Sequence, residues 1–83
     1  MARFELRIKP SVAKDLRAVR RADLKRILKR MPDLRDDPRP KGCEKLGSAE
    51  LYRVRQGVYR IAYEIDDACI VVVVIRVGHR REV

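Results

Sequence analysis

Apolar and polar residues alternate at the start of the chain. Phe4, Leu6 and Ile8 fall on one side, and Arg3, Glu5, Arg7 and Lys9 on the other. A period of two predicts a half-buried strand over residues 2–9. Pro10 and Ser11 interrupt it, and Ser11 is suited to cap a helix. The period then lengthens: Val12, Leu16 and Val19 recur at helical spacing, followed by Leu24, Ile27, Leu28 and Met31. Lys and Arg fill the intervening positions as a solvated face. One long helix fits this pattern, and so does a helical hairpin turning near Arg20–Asp23. No Gly or Pro marks the turn. The hairpin suits a compact domain better, since a helix of about 20 residues reaches about 30 Å. Residues 32–48, with Pro32, Pro38, Pro40 and Gly42, read as a loop pinned by Leu34 and Leu46.

The second half returns to a strand pattern. Leu51–Arg55 and Val58–Ile65 flank Gln56-Gly57, and Asp66-Asp67-Ala68 forms the next turn. Cys69 to Val77 is apolar at nearly every position. A run without alternation predicts a central strand covered on both faces. The order of elements predicts an α+β fold. An N-terminal strand and two helices would pack on one face of a mainly antiparallel sheet of about four strands.

With 83 residues there is room for one domain, residues 1–83. The hydrophobic share of 46% suits a globular chain. The longest apolar run, Ala68 to Ile75, is far short of the roughly 18–20 residues that span a bilayer. The start lacks the apolar core of a signal peptide. A soluble, uncleaved, cytoplasmic protein is expected, with no membrane partner. Cys43 and Cys69 form no CxxC pair, and with His79 as the sole histidine no metal or cofactor site is expected.

Charge sharpens the picture. The chain carries 21 Lys and Arg against 12 Asp and Glu, a net charge of +9. Most of that excess lies before residue 43. A domain this basic meets a polyanion. Arginine outnumbers lysine, and guanidinium grips phosphate oxygens in pairs. If Gln56-Gly57 is a two-residue loop, Arg55 pairs with Val58, Val54 with Tyr59 and Arg53 with Arg60. That register puts Tyr52, Val54, Tyr59, Ile61, Tyr63 and Ile65 on a core face, and Arg53, Arg55 and Arg60 on the other. Glu64 is the acid placed to offset them. Three guanidiniums gathered on one face form a candidate phosphate receptor. If residues 66–68 form a three-residue turn, Cys69, Val71, Val73, Ile75 and Val77 join the core face. Ile70, Val72, Val74 and Arg76 then lie on the arginine face, with Arg80 alongside Arg60. A two-residue turn reverses this. Lys41 and Lys45 extend the basic surface, as does Arg81. His79 is the one side chain whose unperturbed pKa lies near neutrality.

These residues resemble the RelE/ParE superfamily of bacterial and archaeal toxins, and more the RelE branch. The resemblance is carried by Lys45-Leu46-Gly47, Leu51-Tyr52-Arg53-Val54-Arg55, Gly57 to Glu64, and Val77-Gly78-His79-Arg80, with Ala13-Lys14-Asp15-Leu16 upstream. It implies a compact microbial RNase fold and a type II toxin. The implied activity is metal-independent, ribosome-dependent cleavage of A-site codons in mRNA. A 2′-hydroxyl attacks the adjacent phosphate, leaving a 2′,3′-cyclic phosphate and a 5′-hydroxyl. It also implies a cognate antitoxin, through which alone the pair would reach operator DNA. Carried onto this chain, Arg53, Arg55, Arg60 and Arg80 bind the scissile phosphate and stabilise its charge. From the basic surface itself, Lys41, Lys45, Arg76 and Arg81 are the candidate RNA-binding residues beside them.

The family's tyrosine after the final arginine has no counterpart between Arg80 and Val83, which implies weakened or altered nuclease activity. Arginine is too basic to take a proton, so His79 is the candidate general base. Two other readings fit the same fold: a ParE-like inhibitor of DNA gyrase without nuclease activity, and a non-catalytic RNA- or ribosome-binding module.

Overall fold

A computed structural model describes residues 3–47 and 49–81. Ala2, expected to open the first strand, lies outside the described residues, as do Glu82 and Val83 of the tail. The first strand, β1, spans Glu5–Ile8. Helix α1 spans Pro10–Arg17, and α2 spans Arg21–Arg30. The helical hairpin is thus the arrangement adopted. Ser11 does not cap α1: Lys9 is the extended cap residue, and Pro10 takes the first helical position, where its missing N–H costs nothing. The break between the helices needs no Gly or Pro. Arg20 leaves helical geometry at φ −61° and ψ 141°, and its N–H donates to the Tyr59 hydroxyl at 3.4 Å.

Residues 32–48 are more structured than a loop. They contain a single-turn helix α3, Asp33–Asp36, and a two-residue strand β2, Glu44–Lys45. Then come β3 (Leu51–Gln56), β4 (Tyr59–Asp66) and β5 (Val71–His79). The sheet has five strands in the order β1-β5-β4-β3-β2. β1 runs parallel to β5, and the other neighbours are antiparallel.

While β4 holds the centre of the order, the apolar strand β5 is an interior strand, flanked by β1 and β4. It is not evenly covered, however. The helices pack on one face only, where Val72 and Val74 are fully buried with Val12, Ile27, Leu34, Ile61 and Tyr63. Burying each such side chain contributes about 1.5–3 kcal/mol. The placement of Val72 and Val74 on the arginine face is therefore overturned. The ladder shifts register between Ala62 and Tyr63: Ala62 faces Arg76 but Tyr63 faces Val74, leaving Ile75 as an extra residue. This bulge lets Val74 and Val77 both face the core while Arg76 points outward.

The hairpin register also differs. Gln56 faces Tyr59, Arg55 faces Arg60, Val54 faces Ile61 and Arg53 faces Ala62. The two loop residues are Gly57 and Val58. Gly57 has φ +62°, and a hairpin loop with glycine at its first position accommodates the strand twist. The slip is two residues along one strand, so every side chain keeps its expected face.

Candidate functional site

The outer face of the sheet, away from the helices, gathers the arginines in two rows. One row crosses β2 to β5 as Glu44, Arg53, Ala62 and Arg76. The next is Arg55, Arg60 and Gly78. Directly opposed residues of an antiparallel pair have Cβ atoms about 5 Å apart, so Arg55 and Arg60 are close like charges. The opposed pair is thus Arg55 and Arg60, not Arg53 and Arg60. Gly78 offers no side chain beside Arg60, whose Nη1 donates to the Arg80 carbonyl at 2.9 Å. The Arg80 N–H in turn donates to the Val58 carbonyl at 2.7 Å. The end of β5 is therefore tied to the β3–β4 turn.

The acid that balances this face is Glu44, not Glu64. Arg53 Nη2 donates to Glu44 Oε2 at 3.0 Å. Glu44 is held below the ordinary carboxylate range, first by the Arg53 hydrogen bond and charge, then by the charges of Arg60 and Arg55. One exposed carboxylate thus feels all three guanidiniums.

His79 is elsewhere. It faces Tyr59 across the ladder, with ring centroids 6.1 Å apart and edge to face. Tyr59 belongs to the core side, so the sheet separates the imidazole from Arg60. Alternation explains this: Gly78 is outward, so Val77 and His79 are inward. Together with Asp15, Ala18 and Val19, they border a small cleft beside α1. Lys45 also lies on the other side, opposite Tyr52, with its Nζ 3.3 Å from Glu50. Lys41 and Arg81 are exposed, one before β2 and the other just past β5. Arg76 shares the outer face.

A cleft of about 700 Å³ occupies the other end of the outer face, between Leu51, Val71 and Val73 below and Glu50, Glu64 and Asp67 at the rim. The outer face is polarised, basic toward the Gly57 turn and acidic toward the β4–β5 turn. Among the described residues no group of His, Cys, Asp or Glu could hold a metal ion, and no helix is long and apolar enough to cross a membrane.

Residues 6–83 match the family model described as the ParE toxin of type II toxin-antitoxin systems, parDE. The chain belongs to that toxin family. Its fold resembles that of the archaeal RelE-RelB complex from Pyrococcus horikoshii, with 26% identity, a TM-score of 0.80 and full coverage of both chains. It is equally similar to the RelBE2 toxin-antitoxin complex of Mycobacterium tuberculosis. There the identity is 27% and the TM-score 0.79, over 94% of this chain and 99% of that one. The isolated Escherichia coli RelE toxin shares the fold at 23% identity and a TM-score of 0.77, over 92% of this chain and 83% of that one. No curated protein matches the sequence.

Within this toxin, Glu44 is the site residue that sequence reasoning missed. The signal was faint: an acid beside Cys43 in a stretch that reads as loop. Its strand exists only by pairing with β3, so its face could not be read from its own pattern.

Proposed function

We propose that this toxin is an mRNA endoribonuclease acting on the A-site codon of a ribosome-bound message. The observation that carries the reading is the convergence of Arg53, Arg55 and Arg60 on one face, felt jointly by Glu44. A scissile phosphate displaces that carboxylate from Arg53. The guanidiniums of Arg55 and Arg60 then hold the charge that develops as the 2′-oxygen, its proton passing to water, attacks phosphorus and the bond to the 5′-oxygen breaks, that oxygen taking a proton from water. The products are a 2′,3′-cyclic phosphate and a 5′-hydroxyl. Arg80, whose backbone is tied to Arg60, supplies a further cation, and Arg76 extends the RNA track. Lys41 and Arg81 border it. Lys45 and His79, across the sheet, do not reach a phosphate held there, so His79 is not the base for it. A cognate antitoxin is the expected partner, since relatives of this fold crystallise as RelE-RelB complexes. Such a partner would cover the outer face and bring the toxin to operator DNA. A cytoplasmic location follows from this role.

The ParE family model favours a second reading, in which the same fold inhibits DNA gyrase and leaves RNA intact. Primer extension on cellular mRNA after induction separates the two. Codon-phased cuts that vanish in Arg60→Ala support the nuclease. Growth arrest with intact mRNA and an induced DNA-damage response supports the gyrase inhibitor. Neither outcome leaves a passive RNA-binding module. For five to six phosphate contacts, log affinity for single-stranded RNA should fall with log salt at a slope of about −4.

A further inference from the structure

β1 ends at Ile8, opposite Val74, and the Lys9 N–H closes that ladder on the Val74 carbonyl at 3.0 Å. From Ile75 to His79, β5 has β4 on one side and, among the described residues, no strand on the other. A strand edge presents backbone N–H groups that need partners, most of all where the residue is buried. Val77 is 3% exposed, and a side chain meets its N–H, which donates to Asp15 Oδ2 at 3.1 Å. A half-buried helical carboxylate thus takes over where β1 stops. Asp15 is a poor choice for its own helix. It stands in the last turn of α1, where the helix dipole disfavours an acid, and aspartate is among the weaker helix formers. Its neighbours in that turn, Lys14 and Arg17, follow the local rule. What offsets the local cost lies on β5.

We propose that Asp15 is a positioning residue for the arginine face: from the helical side of the sheet it fixes the end of β5, and with it Arg76 and Arg80, against Arg60. Arg76, next to Val77, looks outward opposite Ala62. Beyond Val77, the Arg80 N–H donates to the Val58 carbonyl at 2.7 Å, and the Arg80 carbonyl accepts Arg60 Nη1 at 2.9 Å. The segment is therefore held at one end by α1 and at the other by the β3–β4 turn. With the Asp15 bond gone, Val77 keeps its apolar packing, but the strand end is tied at the turn alone, and Arg60 and Arg80 spread over more positions. Asp15 does not touch a phosphate on the outer face, because the sheet lies between them. It acts through the backbone of β5. Its effect on cleavage rests on the nuclease reading, whereas the placement of Arg80 is measurable without cleavage.

Two readouts on the full chain keep these apart. The first is amide hydrogen exchange followed by NMR. In Asp15→Ala the Arg80 N–H, which Asp15 does not contact, should exchange faster than in wild type, while the β4 amides keep their protection. Asp15→Asn retains an acceptor oxygen and should restore the slow exchange. The second is single-turnover cleavage of a ribosome-bound message at saturating toxin, well below the melting temperature. Asp15→Ala should cleave about 10- to 100-fold more slowly, the scale for misplacing a catalytic group from a distance. Its affinity for single-stranded RNA, set by the count of cations, should not fall, and Asp15→Asn should cleave like wild type. A variant that merely unfolds would lose amplitude and affinity together. Unchanged Arg80 exchange in Asp15→Ala overturns the proposal, whether or not wild type cleaves RNA. So does Asp15→Asn behaving like Asp15→Ala, which would make the charge and not the hydrogen bond the active element, and so does a loss of affinity that matches the loss of rate. A wild type that leaves every message intact sinks the nuclease reading alone, and Arg80 exchange then decides whether Asp15 positions the face.

Discussion

Arg60 faces Arg55 across the ladder while its guanidinium donates to the Arg80 carbonyl. Its removal therefore takes away a tether of the β5 end and, on the proposed nuclease reading, a phosphate ligand. Arg60→Ala should lower single-turnover cleavage about 10²–10³-fold, the scale for losing one donor to a developing oxyanion. A rate unchanged by the substitution would remove Arg60 from the chemistry. Glu44 predicts the opposite sign. It occupies Arg53, so Glu44→Gln should tighten RNA binding about two- to five-fold at neutral pH, the scale of an exposed ion pair. Because its folded pKa is depressed, the carboxylate stays charged down through the ordinary range and leaves Arg53 only as pH falls through that lowered value. Binding curves of wild type and variant should converge only as pH falls through that lowered value, below the ordinary carboxylate range. Loss of cleavage in Glu44→Gln with tight binding intact would instead make the carboxylate a proton acceptor. Ile70 is a third such residue, a β-branched side chain at φ +56° in the β4–β5 turn. Left-handed backbone costs an L-residue about 1–2 kcal/mol, and Asn tolerates it best. Ile70→Asn should raise the melting temperature by about 4–8 °C, the shift that 1 kcal/mol gives a domain of this size. A lower Tm would show that its partial packing outweighs the strain.

At the level of elements, two side chains hold the loop after α3: the buried Tyr63 hydroxyl donates to the Pro38 carbonyl at 2.7 Å, and Arg39 makes a wider network. Arg39 donates to Tyr52 Oη at 3.1 Å, to both Asp67 oxygens at 3.2 and 2.8 Å, and to Glu50 at 3.0 Å. Its guanidinium also lies over the Tyr52 ring. The network joins that loop to β3 and to the β4–β5 turn. Asp67 is lowered chiefly by the Arg39 hydrogen bond, and Glu50 by Tyr52 and then Arg39. Lowered carboxylate pKa values stabilise the fold above the unfolded value, and that contribution disappears as pH falls through the folded one. Thermal melts from pH 7 to about pH 3 should therefore show a steeper acid loss for wild type than for Arg39→Ala. Parallel profiles would mean the network adds nothing. These contacts were invisible in the sequence because they join residues 39, 50, 52 and 67, which no local pattern links. The alternation of β1, β3 and β4 was legible, since a period of two is a property of the strand itself. The register was not: a slip of two residues preserves every face, so the hydrophobic pattern could not detect it. The Ile75 bulge was hidden inside an apolar run, where any phase looks alike, and it decided which valines face the core. His79 is a candidate base for the ordinary pKa of its side-chain type and not for its face: the expected phase already puts Val77, and hence His79, on the core side, where the structure has them.

For the molecule as a whole, the sequence stated how much positive charge there is and that it lies early in the chain. It did not state that the charge forms two separate faces, because that division is made by the sheet. The order of the strands has one more consequence. Glu5 pairs with Val71, and β5 lies between β1 and β4. An inner strand of the sheet is thus the last of the five in chain order. Until it arrives, β1 has no neighbour, Arg76 is not in its row, and Arg60 lacks the Arg80 carbonyl. Such distant pairing also slows folding. The arginine face is thereby assembled only once β5 is in place, and a chain lacking that strand carries neither of its rows complete.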